Sequence, residues 1–141
     1  MKWETRFELG VEQIDRQHQE LFARVDRLEA ALRAGEHKRV VELLDFLGSY
    51  VVEHFGCEER TMKETGYPFF AIHKGVHDRF LELLLQIKAE YLQTGETAWL
   101  AIKVHKVMVA WLHTHILGMD QQLGRFLSAP AEAHRPAPAW R

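Results

Sequence analysis

Seven side chains combine metal-donating chemistry with positions that helical periodicity assigns to a core: His18, His54, Glu58, His73, His77, His115 and Asp120. Neutral imidazole offers a nitrogen lone pair, and carboxylate offers oxygen and negative charge, so the set suits metal cations. A polar group on a core seam costs free energy unless it is partnered, and a lone buried carboxylate is so costly that it takes up a proton instead. Grouping all seven around metal ions removes that cost. A single seam histidine is more often a hydrogen-bonded core residue, and one His-x-x-x-His pair also occurs on solvated faces. Seven such groups spread over four segments fit neither alternative.

Spacing supports the grouping. His54 and Glu58 are four apart, as are His73 and His77, which puts each pair on one helix face. His18 stands alone in the first segment. His115 and Asp120 are five apart, and a regular helix would set them ~140° apart. The spacing therefore predicts a widened or bent helix there, as a π-bulge near Gly118. Five nitrogens and two carboxylates exceed one tetrahedral zinc site. Two six-coordinate ions sharing both carboxylates accommodate them. No Glu-x-x-His motif of the ferritin-like di-iron proteins occurs. A histidine-rich set favours iron with redox chemistry, and ligand type alone leaves manganese and copper open.

Four segments of helical periodicity must carry these residues. The first, about 15–34 with Asp15 as candidate N-cap, has the seam His18, Leu21, Phe22, Val25, Leu28, Leu32. The second, about 38–64, runs Val40, Leu44, Leu47, Val51, His54, Glu58, Met62. The third, about 70–92, runs Phe70, His73, His77, Phe80, Leu84, Ile87, Tyr91. The fourth, about 97–127, sets Val104, Met108, Leu112, His115 and Met119 along one side. Gly35, Gly66-Tyr67-Pro68 and Gln93-Thr94-Gly95 break the chain between them. Short loops between long helices predict an all-α, antiparallel up-down-up-down four-helix bundle. Helical rise then brings all seven donors to one end of it. Residues 1–13 form an arm whose Trp3, Phe7 and Val11, with Ile14 after it, pack over the bundle. Residues 128–141 are an Ala/Pro-rich tail, expected to be flexible. The domain proper is 1–127.

The chain has 47% hydrophobic and 27% charged residues and a net charge of -2, which excludes a nucleic-acid partner or a charged membrane surface as the obvious ligand. It lacks an apolar run of the ~20 residues that span a membrane, and its first residues do not read as a signal peptide. A cytoplasmic protein is expected. Cys57, the single cysteine, lies ~80° off the middle of the His54/Glu58 face and is expected to be a structural or exposed thiol. His37 in a loop, His134 in the tail and His113, facing away from His115, are expected in solvent. His105 lies too far before His115 to join it. Glu59 is expected off the metal face, in solvent or hydrogen-bonded to a ligand. Trp99 and Trp111 are expected to pack.

Around these residues the sequence closely resembles the hemerythrins, specifically the single-domain bacterial group. The matching stretches are Gly10-Val11-x-x-Ile14-Asp15-x-Gln17-His18-x-x-Leu21-Phe22 and His54-Phe55-x-x-Glu58-Glu59-x-x-Met62. Gly66-Tyr67-Pro68 then leads to His73-x-x-x-His77-x-x-Phe80, and Trp111-Leu112-x-x-His115-Ile116-x-x-x-Asp120-x-x-Leu123-Gly124 completes the set. The resemblance implies two iron ions. One would be held by His73, His77 and His115, the other by His18 and His54 with a position left open. Glu58, Asp120 and an oxo or hydroxo group would bridge them, and O2 would bind at the open position.

Reversible O2 binding needs a pocket that keeps water out, and Ile14, Phe22, Phe55 and Leu112 are the candidate wall, with Leu112 the first choice. The resemblance thus implies a monomeric O2-binding protein for storage, transport or delivery rather than an enzyme, with weak oxidase or peroxidase activity at most. The alternatives are an O2 or redox sensor acting through a partner and a di-iron oxidase- or peroxidase-type enzyme. The recipient of O2 or signalling partner is not specified by sequence. Neither a nucleophile motif nor a Gly-rich phosphate loop occurs.

Overall fold

Each seam written in the sequence becomes one buried helix stripe. The computed structural model describes residues 2–129. Its helices are α1 (Glu12–Ala34), α2 (His37–Thr65), α3 (Phe70–Thr94) and α4 (residues 97–128). Strands are absent among the described residues. α1 packs on α2, α2 on α3, and α4 closes the ring against α1 and α3. Short connections make consecutive helices antiparallel, so the molecule is an up-down-up-down four-helix bundle with an N-terminal arm.

The stops between helices follow from glycine. Gly35, Gly66 and Gly95 take left-handed φ of 69°, 68° and 63°, which L side chains rarely adopt. At the end of α2, Gly66 N–H donates to Lys63 O at 3.3 Å and Tyr67 N–H to Met62 O at 2.9 Å. This 6→1 closure lays buried Tyr67 on buried Met62. Pro68 then prevents the helix from resuming.

The start of α1 differs from expectation. α1 begins at Glu12, three residues before the expected N-cap. Asp15 sits in the first turn and reaches back, accepting Leu9 N–H at 2.8 Å and Gly10 N–H at 3.1 Å. It pins the incoming arm and places a negative charge at the positive end of the helix dipole. Gly10, at φ 83°, makes the corner. The arm is therefore shorter than predicted, and Ile14 belongs to α1. A 3-10 turn, Thr5–Phe7, buries Phe7 against Phe22, and Trp3 leans on both. Gln121 of α4 donates to Arg6 O and Glu8 O at 3.1 and 3.0 Å. Leu9 passes so close to α4 that a Cβ on Gly124 would lie 3.0 Å from its carbonyl oxygen.

α4 is not uniform. Two π-helical segments, Val104–Val109 and Ile116–Asp120, interrupt it. The second was expected from the sequence and the first was not. The wider turn moves the buried stripe from Met119, which is only half-buried, onto Asp120. Phe70 on α3 is likewise half-buried rather than core. Of the expected tail, only Ser128 and Ala129 are described; His134 lies outside the described residues. No described helix is long and apolar enough to cross a membrane.

Candidate metal centre

The buried polar residues of the described chain are His18, His54, Glu58, His73, His77, His115 and Asp120, none more than 4% exposed. All seven predicted donors are therefore inside, and they meet in one place. α1 supplies His18, α2 supplies His54 and Glu58, α3 supplies His73 and His77, and α4 supplies His115 and Asp120. The four-residue steps on α2 and α3 stack their pairs along one face. On α4 the π segment does the same for a five-residue step, bringing Asp120 Oδ1 to 3.0 Å from His115 Nε2.

The two carboxylates divide the histidines into two groups. Glu58 Oε1 lies 3.3 Å from His18 Nε2 and 3.0 Å from His54 Nε2. Its Oε2 lies 3.4 Å from His73 Nε2 and 3.2 Å from His77 Nε2. Asp120 Oδ2 is 3.1 Å from His18 Nε2, and its Oδ1 is 3.0 Å from His73 Nε2. Each carboxylate thus presents one oxygen to a three-histidine group and the other to a two-histidine group. Nε2 of His115 lies 3.1 Å from Nε2 of both His73 and His77.

Cations fit this arrangement. His18 Nε2 and all four carboxylate oxygens are buried without an aligned hydrogen-bond partner among the described residues, although their neighbours are near enough. Lone pairs pointed at a common centre repel unless a cation or proton stands between them. Donors at right angles around an ion with ~2.1 Å bonds lie ~3.0 Å apart, and tetrahedral ones ~3.4 Å. Six of the nine close donor–donor separations fall at 3.0–3.1 Å and the other three at 3.2–3.4 Å, within the range of donors that share a cation.

The stretch that carries all seven donors also matches a known domain. A sequence model of the hemerythrin HHE cation binding domain matches residues 9–127. The chain belongs to the hemerythrin family. The bacteriohemerythrin of Stenotrophomonas maltophilia (strain R551-3) is 32% identical over 119 residues, covering 84% of this chain and 76% of the relative. That of Methylococcus capsulatus (strain Bath) is 32% identical over 130 residues, covering 92% and 98%. A solved wild-type hemerythrin superposes with a TM-score of 0.80 at 30% identity, again covering 92% and 98%. Variants of a solved hemerythrin with one leucine replaced by Phe or Ala superpose equally well.

Two further residues of the chain bear on the donors. His54 Nδ1–H donates to Gln17 Oε1 at 2.8 Å, and His77 Nδ1–H donates to Glu59 Oε1 at 3.1 Å. Both bonds fix the ring so that Nε2 is turned toward the carboxylates. Glu59 takes the second of its two expected places, on a ligand rather than in solvent. Gln17 was missed as a contact, because a residue beside His18 faces another direction and its target lies on α2.

Electrostatics follow from burial. Burial alone pushes His18 and His73 down, but the Asp120 and Glu58 carboxylates outweigh it and raise both to about 9. Burial pushes Glu58 up, yet His54, His18 and His73 together hold it well below the usual carboxylate range. Asp120 is likewise lowered, by His115 and His18 acting against burial and Glu58.

The expected wall residues Ile14, Phe22, Phe55 and Leu112 are all buried. Phe55 touches the donor cluster directly, stacking on His77 at 3.8 Å between ring centres. Phe22 instead contacts Trp3, Phe7 and His113. Trp111, expected to pack, stacks on His115 at 4.3 Å. A 400 Å³ recess lined by Val76, Trp111, His115 and Met119 reaches the outer side of that pair.

Of the other histidines, His113 departs from expectation, His37 departs only in its element, and His105 lies away from the cluster as expected. His113 is half-buried against Phe7, with Nε2 inaccessible, and burial and Arg6 lower its pKa. His37 opens α2 rather than lying in a loop and bonds Tyr91 Oη at 2.8 Å. His105 is exposed beside Glu29. Cys57 is a free, buried thiol.

Proposed function

We propose that the chain binds O2 reversibly at a di-iron centre and serves its storage, transport or delivery. The observation that carries this reading is the division of donors, five on one side and four on the other, with both carboxylates common to the two. His73, His77 and His115 would hold one iron, His18 and His54 the other, and Glu58 and Asp120 would bridge them. Bound iron supplies the redox capacity that O2 binding requires.

The chain supplies asymmetry, charge and dryness. The two-histidine side offers one protein donor fewer, so it is the side with room for an external ligand. Two buried carboxylates offset cationic charge that a low-dielectric interior would otherwise repel. Apolar residues lie above and below. Met62, Tyr67 and Leu123 close the near end, and the main core, including Ile14, Phe55 and Leu112, lies on the other side. Such walls keep water and stray protons from a bound oxygen species.

The test is an anaerobic titration of the iron(II)-loaded protein with O2. A visible absorption band that grows with O2 and vanishes on purging, over repeated cycles, is expected. One-way oxidation with continued O2 consumption would refute the carrier reading.

A further inference from the structure

The two donor groups differ in what stands behind them. His54, on the two-histidine side, donates its Nδ1–H to a neutral amide oxygen of Gln17 at 2.8 Å. His77, on the three-histidine side, donates to the carboxylate of Glu59 at 3.1 Å. His77 is fully buried and Glu59 only 21% exposed, so solvent screens this pair weakly. Lys74, one helical turn from Asp78, is held by both Asp78 oxygens at 2.9 and 2.8 Å and also feels the Glu59 charge, without an ion pair to it. Phe55, flat against His77, fixes the ring plane in which the bond is made.

An imidazole that donates to an anion is more basic at its other nitrogen than one that donates to an amide. Greater basicity binds a cation more tightly and favours its higher charge state. We propose that Glu59, acting through His77, makes the three-histidine position the tighter and more readily oxidised of the two. Gln17 on His54 leaves the two-histidine position weaker and easier to reduce. Glu59 is thus a positioning residue that widens the difference the third histidine already makes between the two metal positions. This inference rests on the di-iron reading above.

The test uses Glu59→Gln, which keeps the shape and a hydrogen-bond acceptor but removes the charge. The readouts are the two iron(II) dissociation constants, measured anaerobically by chelator competition, and the reduction potential of the loaded protein. The tighter constant should weaken about tenfold, the size usual for such partners. The weaker constant should stay put, and the potential should rise. Gln17→Glu adds the missing charge, so it should tighten the weaker constant and lower the potential. Wild-type values for all three readouts in Glu59→Gln overturn the proposal, as does equal weakening of both constants. An unresponsive Gln17→Glu overturns it too. A wild-type chain that takes up fewer than two irons refutes the di-iron reading instead, and the two failures are thereby separate.

Discussion

Glu58 and Asp120 stay anionic inside the bundle because His18, His54, His73 and His115 face them, and the two carboxylates in turn let His18 and His73 hold protons up to about pH 9. In protein stripped of metal, protons take the place of cations. Raised histidine values stabilise the fold fully below their ordinary 6.5, and that contribution is lost as pH rises through about 9. Lowered carboxylate values act above their ordinary 4.5 and 3.8, and that contribution is lost as pH falls through the folded values. The melting temperature of metal-free protein should therefore fall from pH 6.5 to 9. Iron affinity should climb over that same window, because binding releases those protons. A flat melting profile there would contradict the protonation scheme. Leu112, one turn before His115 and buried, is the other residue to test. Leu112→Ala should cost about 2–5 kcal/mol by leaving a cavity, and it should speed autoxidation by admitting water. An unchanged autoxidation rate would remove Leu112 from the gate.

At the scale of the element, α4 matters most. A five-residue separation is out of phase with an α-helix, and the π segment Ile116–Asp120 restores the phase. Deleting Leu117, which is 38% exposed, should return the segment to α-helical winding, with His115 and Asp120 four apart on one face and Leu123 and Gly124 unchanged in phase. Metal analysis should show loading retained and circular dichroism an unchanged helix content. Loss of metal would mean that the wider turn itself, and not the phase it restores, sets the donor geometry. Gly124 tests the arm, since Gly124→Leu would drive a side chain into Leu9. A loss of about 1–3 kcal/mol in denaturant unfolding is expected.

For the whole molecule, the centre is also a staple. Donors come from all four helices, so bound metal ties every helix to the others. A ligand present at one hundred times its dissociation constant stabilises the native state by about 2.7 kcal/mol. For a chain of this size that is on the order of 10 °C in melting temperature. Chelation should lower the transition by that much, and re-addition of iron should restore it. Insensitivity to chelator would mean that apolar packing alone holds the bundle.

Periodicity and residue chemistry were enough to read four helices, their glycine stops and all seven donors, because a polar group repeated on an apolar stripe conflicts with burial unless it has a purpose. Even the π turn near Gly118 followed from one awkward spacing. Contacts between helices were not legible. Gln17 beneath His54, Trp111 flat on His115, His113 tucked against Phe7 and Asp15 clasping the arm depend on which faces meet and at what height. Helix period assigns a residue to a side of its own helix. Only packing decides what stands opposite, and thus how two carboxylates share their oxygens between two groups of histidines.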